Sequence, residues 1–125
     1  MKKIINTTEA PSPIGPYSQA VLAGNTLYIS GQIAIDSSSG NLVTNNIQDE
    51  TSQVMKNIEA VLKSAGMDFS NIVKTSIFLI DMNNFSDVNT VYGSFFSKDF
   101  PARETVQVSR LPKDVNVEIS VIAVS

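Results

Sequence analysis

The chain has 125 residues, of which 42% are hydrophobic and 17% charged, and its formal net charge is −3. That length and composition are typical of one globular domain with its own core, so we expect a single domain over residues 1–125. The sequence contains no cysteine and no histidine, which excludes a disulfide framework, a thiolate nucleophile, a zinc–thiolate site and a Ser-His-Asp triad.

The charge pattern and the N-terminal residues limit the partners further. Phosphate contacts require clustered Lys and Arg, and this acidic chain has no such cluster, which argues against a nucleic-acid surface. No stretch approaches the roughly 18 consecutive apolar residues of a membrane span, and residues 1–6 lack the apolar run of a secretory signal. We therefore expect a cytoplasmic protein with no membrane partner. No clustered acids suggest a metal site, so the chemistry should use Arg, Lys, Glu, Asp, Tyr, Ser, backbone groups or water.

The chain begins with a short predicted strand and a rigid loop. Residues 2–6 can form the strand, and residues 10–19 cannot be helical because they contain three prolines and a glycine. The loop delivers Tyr17 to a fixed place. The alternative is a plain connector in which Tyr17 is an aromatic plug.

A β-hairpin is predicted next. The turn signal Ala23-Gly24-Asn25 separates two arms, Ser18–Leu22 and Thr26–Ser30. The second arm ends in Ser30-Gly31-Gln32, where the glycine permits a β-bulge or a close backbone approach to a ligand.

Two helices are predicted in the middle of the chain. Apolar residues recur at three- and four-residue steps from Ile47 to Ala65, which indicates an amphipathic helix packed on the core. A second helix should run roughly from Asn84 to Phe96, with Asn89 beside its inner face. The expected terminal residues are Asn45 or Asn46, Asp49, Glu50 and Gly66 for the first helix, and Asn83 or Asn84 for the second.

Strands are predicted before and after the second helix. Residues 73–80 form one strand, and residues 100–108 contain another whose first part holds Arg103, one of only two arginines. Pro101 keeps the chain extended on entry, and Val106 and Val108 alternate with polar residues as in a half-buried strand. Arg103 should therefore lie between rigid backbone and core, where a guanidinium can grip a carboxylate with two hydrogen bonds. The alternative is an ordinary solvated arginine.

The last predicted strand, Val115–Ser125, has apolar residues on both faces. Two helices fit on one face of a sheet, so the apolar area of the other face needs a cover, and we expect another copy of the chain to supply it. Glu118 would then lie on the face that meets a partner subunit.

Several short motifs resemble the RidA/YjgF family of small imine deaminases, and the likeness covers nearly the whole chain. In order along the sequence they are Ile14-Gly15-Pro16-Tyr17-Ser18-Gln19, Ser30-Gly31-Gln32, Val73-Lys74-Thr75, Val88-Asn89, Pro101-Ala102-Arg103, Arg110-Leu111-Pro112-Lys113-Asp114 and Val117-Glu118-Ile119. One departure is Thr105, where many relatives carry cysteine, so a thiol contribution is excluded here.

The resemblance implies a chorismate-mutase-like α+β fold: a mixed sheet with two main helices on one face, assembled as a homotrimer with inter-subunit sites. It implies hydrolysis of 2-imino acids, released by pyridoxal-phosphate dehydratases, to 2-keto acids and ammonia, with no cofactor. By position, Arg103 would hold the substrate carboxylate and Glu118 would activate water. The pocket would be lined by Tyr17, Ser30, Gly31 and Asn89, and the Thr105 backbone would contact the imine nitrogen. Arg110 belongs to the shared pattern but suggests a structural ion pair.

Two other functions stay open at this point. The same trimer clefts could hold small acids or client proteins without catalysis, as a binding or chaperone-like module. A ribonuclease or translation inhibitor is the other alternative, although the acidic balance and absent histidine argue against RNA cleavage.

Overall fold

The computed structural model describes residues 1–125 as a six-stranded mixed sheet with two α-helices. The strands are β1 (Lys2–Ile5), β2 (Ala20–Ala23), β3 (Thr26–Gln32), β4 (Ile72–Leu79), β5 (Ala102–Gln107) and β6 (Val117–Val124), and the helices are α1 (Ile47–Ser64) and α2 (Phe85–Gly93). The spatial order is β1-β2-β3-β6-β4-β5. Only β4 and β5 run parallel, and the other neighbours are antiparallel. The predicted α+β class and mixed sheet are confirmed.

Both helices cover the same face of the sheet, as predicted. Alternate residues of β6 from Val117 to Ala123 point to this side, and they pack with the buried stripe of α1 and with Val88 and Tyr92 of α2 in one core cluster of 21 residues. Each fully buried Val, Leu or Ile side chain stabilises the fold by about 1.5–3 kcal/mol relative to exposure. The main core therefore lies between the helices and one side of the sheet, and a smaller cluster of Ile33, Leu111 and Val115 lies apart from it.

The first helix is close to its predicted bounds. The Asn46 side chain accepts a hydrogen bond from the Asp49 backbone N–H at 2.7 Å, which satisfies a free donor of the first turn. Gly66 follows the C-terminus with φ +73°, a conformation that favours glycine. Asn46 is thus the cap, and Gly66 ends the helix as expected.

The second helix is shorter than predicted and is capped differently. It begins at Phe85, after a 3-10 turn over Met82–Asn84, and ends at Gly93 instead of Phe96. Asn84 already has helical backbone angles and makes no side-chain cap. Asp81 caps the preceding 3-10 turn instead, because its carboxylate accepts from the Asn83 backbone N–H at 2.9 Å.

The strand β5 forms where expected, but its apolar residues lie on the face of the sheet that no helix covers. Its register with β4 places Arg103 beside Thr75 and Thr105 beside Ile77, on the helix-covered face. Val106 points to the other face and is 41% exposed. Arg103 thus lies on the core side as expected, whereas the valines of the predicted half-buried strand lie on the other face, since alternation on an edge strand does not reveal which face is covered.

No helix covers the other face of the sheet, and only the proline-rich loop and the turn around Leu111 lie against part of it. Tyr28, Val73 and Val106 are exposed apolar side chains there, and Glu118, Ile122 and Val124 are half-buried. We call this the open face. Neither helix combines the length and the apolar character required to cross a bilayer.

Candidate functional site

One cavity of about 360 Å³ lies beside Glu118 on the open face. The residues that line it include four that the sequence analysis selected, Tyr17, Ser30, Gly31 and Glu118. They come from the proline-rich loop, the end of β3 and the middle of β6. We call this group the Glu118 half.

The loop that carries Tyr17 is fixed by one buried glutamine. Gln19 is 2% exposed, and its side-chain oxygen accepts from the Thr7 backbone N–H at 2.8 Å. Its side-chain nitrogen donates to the carbonyls of Thr7, Ala10 and Pro11 at 2.9, 3.2 and 2.9 Å. These bonds satisfy backbone groups that no strand or helix partner reaches. The rigid loop predicted from its prolines is therefore also tied down by hydrogen bonds.

The two hydroxyl groups of the Glu118 half have different freedom. Tyr17 is 48% exposed, and its hydroxyl accepts from the Ile14 backbone N–H at 3.2 Å. The Ser30 hydroxyl donates to the Ser18 carbonyl at 2.6 Å. Because its single proton is used there, Ser30 can only accept a hydrogen bond from a ligand, whereas Tyr17 can still donate.

Gly31 makes room for the Glu118 side chain. The register between β3 and β6 shifts between Ile29 and Gln32, which confirms the predicted bulge. A Cβ added at Gly31 would lie 2.8 Å from Cδ of Glu118, so only glycine fits without displacing the carboxylate. The close approach at Gly31 is therefore made by Glu118 itself.

Burial tunes the acidity of this carboxylate. Desolvation raises the pKa of Glu118 above its ordinary value, because removal from water disfavours the charged form. Tyr17 is the other titratable residue that lines the cavity, and no cation lines it. A carboxylate with a raised pKa is better suited to accept a proton near neutral pH.

Arg103 stands in a separate group of residues built from β5 and α2. Its Nη1 donates to Oδ1 of Asn89 at 2.6 Å, and its guanidinium carbon lies 5.6 Å from the ring centre of Phe85 and 5.4 Å from that of Tyr92. Cation–π contacts of this kind hold a guanidinium in a fixed plane. Tyr92 is fixed in turn, because its hydroxyl donates to the buried Thr75 hydroxyl at 2.9 Å.

Thr105 lies two residues from Arg103 on the same face of β5. Its hydroxyl oxygen is buried and has no hydrogen-bond partner. Arg103, Asn89 and Thr105 form what we call the Arg103 half. Arg103 and Asn89 also line a second cavity of about 290 Å³.

The two halves lie on opposite faces of the sheet within one chain. Arg103 pairs with Thr75, which faces the helices, whereas Glu118 pairs with Phe78 on the open face. A single copy therefore cannot present both groups to one small molecule.

The second arginine of the chain, Arg110, lies outside both halves of the site. Arg110 donates to Asp114 from Nε at 2.6 Å, on an exposed turn, so the predicted ion pair is confirmed. This hydrogen bond and the adjacent positive charge lower the pKa of Asp114. The Asp and Glu side chains form no group of three that could hold a metal ion.

Some residues that support the site were not selected from the sequence. Phe85 and Tyr92 form the aromatic support for Arg103. Glu50 was treated as a first-turn acid, but it is fully buried. The burial of Glu50 could have been predicted from the sequence, because this residue lies three residues after Ile47 and four before Val54, on the apolar stripe of α1.

Comparison with known proteins identifies the family. A family model described as Endoribonuclease L-PSP matches residues 7–125. The chain belongs to this family, the RidA/YjgF family. The RidA/YjgF resemblance drawn from the short motifs is thereby confirmed.

Relatives from the RidA/YjgF family match over almost the whole chain. The human 2-iminobutanoate/2-iminopropanoate deaminase is 48% identical over 99% of this chain and 90% of its own length. A Rid-family structure from Yersinia pestis, YyfA, is 52% identical with a TM-score of 0.97 and covers 100% of both chains. The Escherichia coli TdcF structure with bound serine is 40% identical with a TM-score of 0.95 over 98% of each chain. These neighbours confirm the chorismate-mutase-like fold.

Proposed function

We propose that this protein is a 2-iminobutanoate/2-iminopropanoate deaminase, which hydrolyses reactive imino acids to 2-keto acids and ammonia. One observation carries the proposal. The chain holds a guanidinium in a fixed plane on two aromatic rings, and it also holds a desolvated carboxylate. These are the two groups that this reaction needs. The name of the human relative supports the same activity. Neither a thiol nor a histidine is required, which suits a chain that lacks both.

The reaction can be divided between the two halves. Arg103 would bind the substrate carboxylate through two parallel hydrogen bonds and so fix the C=N carbon in place. Glu118 would take a proton from a water molecule as the water oxygen bonds to the carbon of the protonated imine, and the C=N electrons would pass to nitrogen to give a neutral carbinolamine. Glu118 would then return that proton to nitrogen. As the C–N bond breaks, nitrogen leaves as ammonia, the O–H electrons form the C=O bond of the keto acid, and the hydroxyl proton passes to the Glu118 carboxylate, which releases it to solvent.

The other selected residues would assist in defined ways. Tyr17 still has a free hydroxyl proton, which suits a water oxygen, and Ser30 offers only an acceptor, which suits a water or an imine N–H. The Thr105 backbone would contact the imine nitrogen. Asn89 already accepts from Arg103, so we assign it to orientation of the guanidinium as well as to the pocket lining.

We also propose that the complete site forms between neighbouring copies of a homotrimer. The two halves lie on opposite faces of one chain, so Arg103 of one copy must meet Glu118 of another. The open face carries exposed apolar side chains that a second copy would cover. This arrangement makes each site incomplete in an isolated chain.

A coupled assay tests the activity. A pyridoxal-phosphate-dependent threonine or serine dehydratase would generate the imino acid, and decay of the imine would be followed with and without this protein. Faster decay that is lost in Arg103→Ala supports the deaminase and its functional link to such dehydratases. Equal decay rates with and without the protein would exclude the proposed activity.

Subunit complementation tests the shared site. Arg103→Ala and Glu118→Ala should each be inactive alone, but trimers assembled from a denatured and refolded mixture would contain sites with both wild-type residues. Activity should therefore reappear on mixing. If the reaction used Arg103 and Glu118 of the same chain, no mixture could restore it.

A non-catalytic ligand-binding trimer is the second candidate, and the serine bound in the TdcF structure favours it. The description of the family model names an endoribonuclease, but the acidic chain without histidine offers RNA no basic surface and no imidazole. Binding of a 2-keto acid without imine turnover would support the binding module. The expected cytoplasmic location stays a prediction, which fluorescence microscopy of the tagged protein can check.

A further inference from the structure

The buried carboxylate of Glu50 has a hydrogen-bonding pattern that leads directly to the catalytic strand. Its Oε2 accepts from the Asn116 backbone N–H at 2.7 Å and from the Val117 backbone N–H at 3.2 Å. Its Oε1 accepts from the Asn116 side-chain nitrogen at 2.8 Å. Glu50 thus binds the two residues that precede Glu118, from the first turn of α1.

The chemistry of these three contacts requires a carboxylate. All three partners are donors, and an ionised carboxylate only accepts. No cation shares the site, since the ion pairs of the chain are Lys74–Glu104 and Arg110–Asp114. A fully buried charge without a counter-ion is costly. The N-terminal end of α1 offsets part of that cost through its partial positive charge.

We propose that Glu50 is a positioning residue for Glu118: it fixes the first residues of β6, so that the Glu118 carboxylate stays in the space left by Gly31. This inference rests on the proposed function only for its effect on turnover. The link is short along the chain, because Val117 is covalently bonded to Glu118. Across the sheet, the Glu118 side chain lies directly against Gly31, where an added Cβ would collide with it.

The test compares a variant that removes the acceptor oxygens of residue 50 with one that restores complementarity. In Glu50→Leu, no side-chain atom accepts from the three donors, so β6 should loosen at Asn116. The double variant Glu50→Gln/Asn116→Asp restores complementarity, since the new amide accepts both backbone N–H groups and donates to the new carboxylate. Val54→Ala, a core change on the same helix, controls for lost stability alone.

Two readouts separate positioning from stability. Glu50→Leu should lower kcat about 10- to 100-fold, because a displacement of about 1 Å has effects of that size, with KM changed much less since Arg103 is untouched. The titration of the Glu118 side-chain carbon, followed by NMR with labelled glutamate, should move to lower pH as the carboxylate becomes more hydrated. The double variant should recover both values towards wild type, and Val54→Ala should change neither in the folded protein.

Three results would overturn the inference. They are an unchanged Glu118 titration in folded Glu50→Leu, no recovery in the double variant, or the same shift in Val54→Ala. If Glu50→Leu does not fold, Asn116→Ala removes only one of the three bonds and must show a smaller shift in the same direction. The NMR readout needs no substrate, so it remains valid if the deaminase assay fails.

Discussion

The Glu118 half and the Arg103 half hold their charged groups by opposite means. Glu118 lies on a central strand, half-buried, against a glycine and a hydrogen-bonded loop, in a cavity that no cation lines. Arg103 lies on an edge strand, exposed, with two rings and an amide oxygen as partners. Desolvation destabilises the charge of the base, whereas stacking and hydrogen bonding stabilise the charge of the cation.

This contrast assigns different kinetic roles to the halves. A carboxylate kept at a raised pKa acts on the proton-transfer step, so its loss should appear in kcat and in the pH profile. A pre-oriented guanidinium binds the substrate carboxylate in both ground and transition states, so its loss should appear chiefly in KM. Each substitution below tests one side of that contrast.

The largest effect is expected for Glu118→Gln. Loss of the base should lower kcat by about 10²–10⁴-fold, while KM stays close to wild type. Steady-state kinetics in the coupled assay measure both values. A kcat within a few-fold of wild type would remove Glu118 from the mechanism.

The same variant should be more stable at neutral pH. The folded-state pKa of Glu118 is raised, so its stabilising contribution is complete below the ordinary pKa of glutamate, about 4.3, and is lost as pH rises through the folded pKa. The uncharged amide avoids that loss. Urea unfolding should therefore show higher stability than wild type at pH 7 and equal stability near the ordinary pKa. Lower stability at pH 7 would show that a cation, such as Arg103 of a neighbouring copy, offsets the desolvation of Glu118 in the assembled protein.

The next effect is expected for Arg103→Lys. An ammonium keeps the charge but loses the planar fork, and a hydrogen bond to a charged group is worth roughly 1.5–3 kcal/mol. We therefore expect KM to rise about 10- to 100-fold, with a smaller change in kcat. The other arginine offers a matched control, because Arg110→Lys changes an exposed ion pair with Asp114 and should leave KM unchanged. Equal effects of the two substitutions would refute a special role for Arg103.

A smaller effect is expected for Phe85→Leu. The substitution keeps apolar bulk but removes one of the two rings beside the guanidinium, a contact worth about 0.5–1 kcal/mol. KM should rise about two- to fivefold and kcat should hold. Phe95→Leu is the control, since that ring packs 5.4 Å from Phe69 and has no cation–π contact with Arg103. An unchanged KM in Phe85→Leu would show that Asn89 and Tyr92 suffice to orient the guanidinium.

Local patterns in the sequence were sufficient to predict the helices and strands and several of the site residues. The period of α1, its Asn46 cap and the glycine at residue 66 follow from short-range rules, and the structure agrees with each. The bulge at Gly31 was also readable, because glycine at a strand end has few other uses. The membership of Tyr17, Ser30, Gly31 and Glu118 in one cavity came from the resemblance to a family, not from spacing.

Contacts between residues that are far apart in the sequence could not be predicted from such local patterns. The face on which Arg103 lies depends on the register between β4 and β5, which the alternation of two valines does not determine. The partners of Glu50 are 66 and 67 residues away, so only its place on an apolar stripe could have signalled its burial. The early end of α2 at Gly93 depends on tertiary packing of Phe95 and Phe96 against Phe69.

The smallest kinetic effect is expected for Thr105→Val, which tests how the Arg103 half meets its substrate. The Thr105 hydroxyl oxygen is buried without a partner, and an unsatisfied buried polar group costs roughly 1–3 kcal/mol. The near-isosteric valine should therefore raise the free energy of unfolding by about 1 kcal/mol, while KM should change less than about threefold because the proposed contact with the imine uses only the Thr105 backbone. Thr75→Val is the matched control, since that buried hydroxyl accepts from Tyr92 and its removal should lower stability. A large rise in KM for Thr105→Val that is absent in Thr105→Ser would instead show that the hydroxyl finds its partner in the bound substrate, and the Arg103 half would then recognise more than a carboxylate.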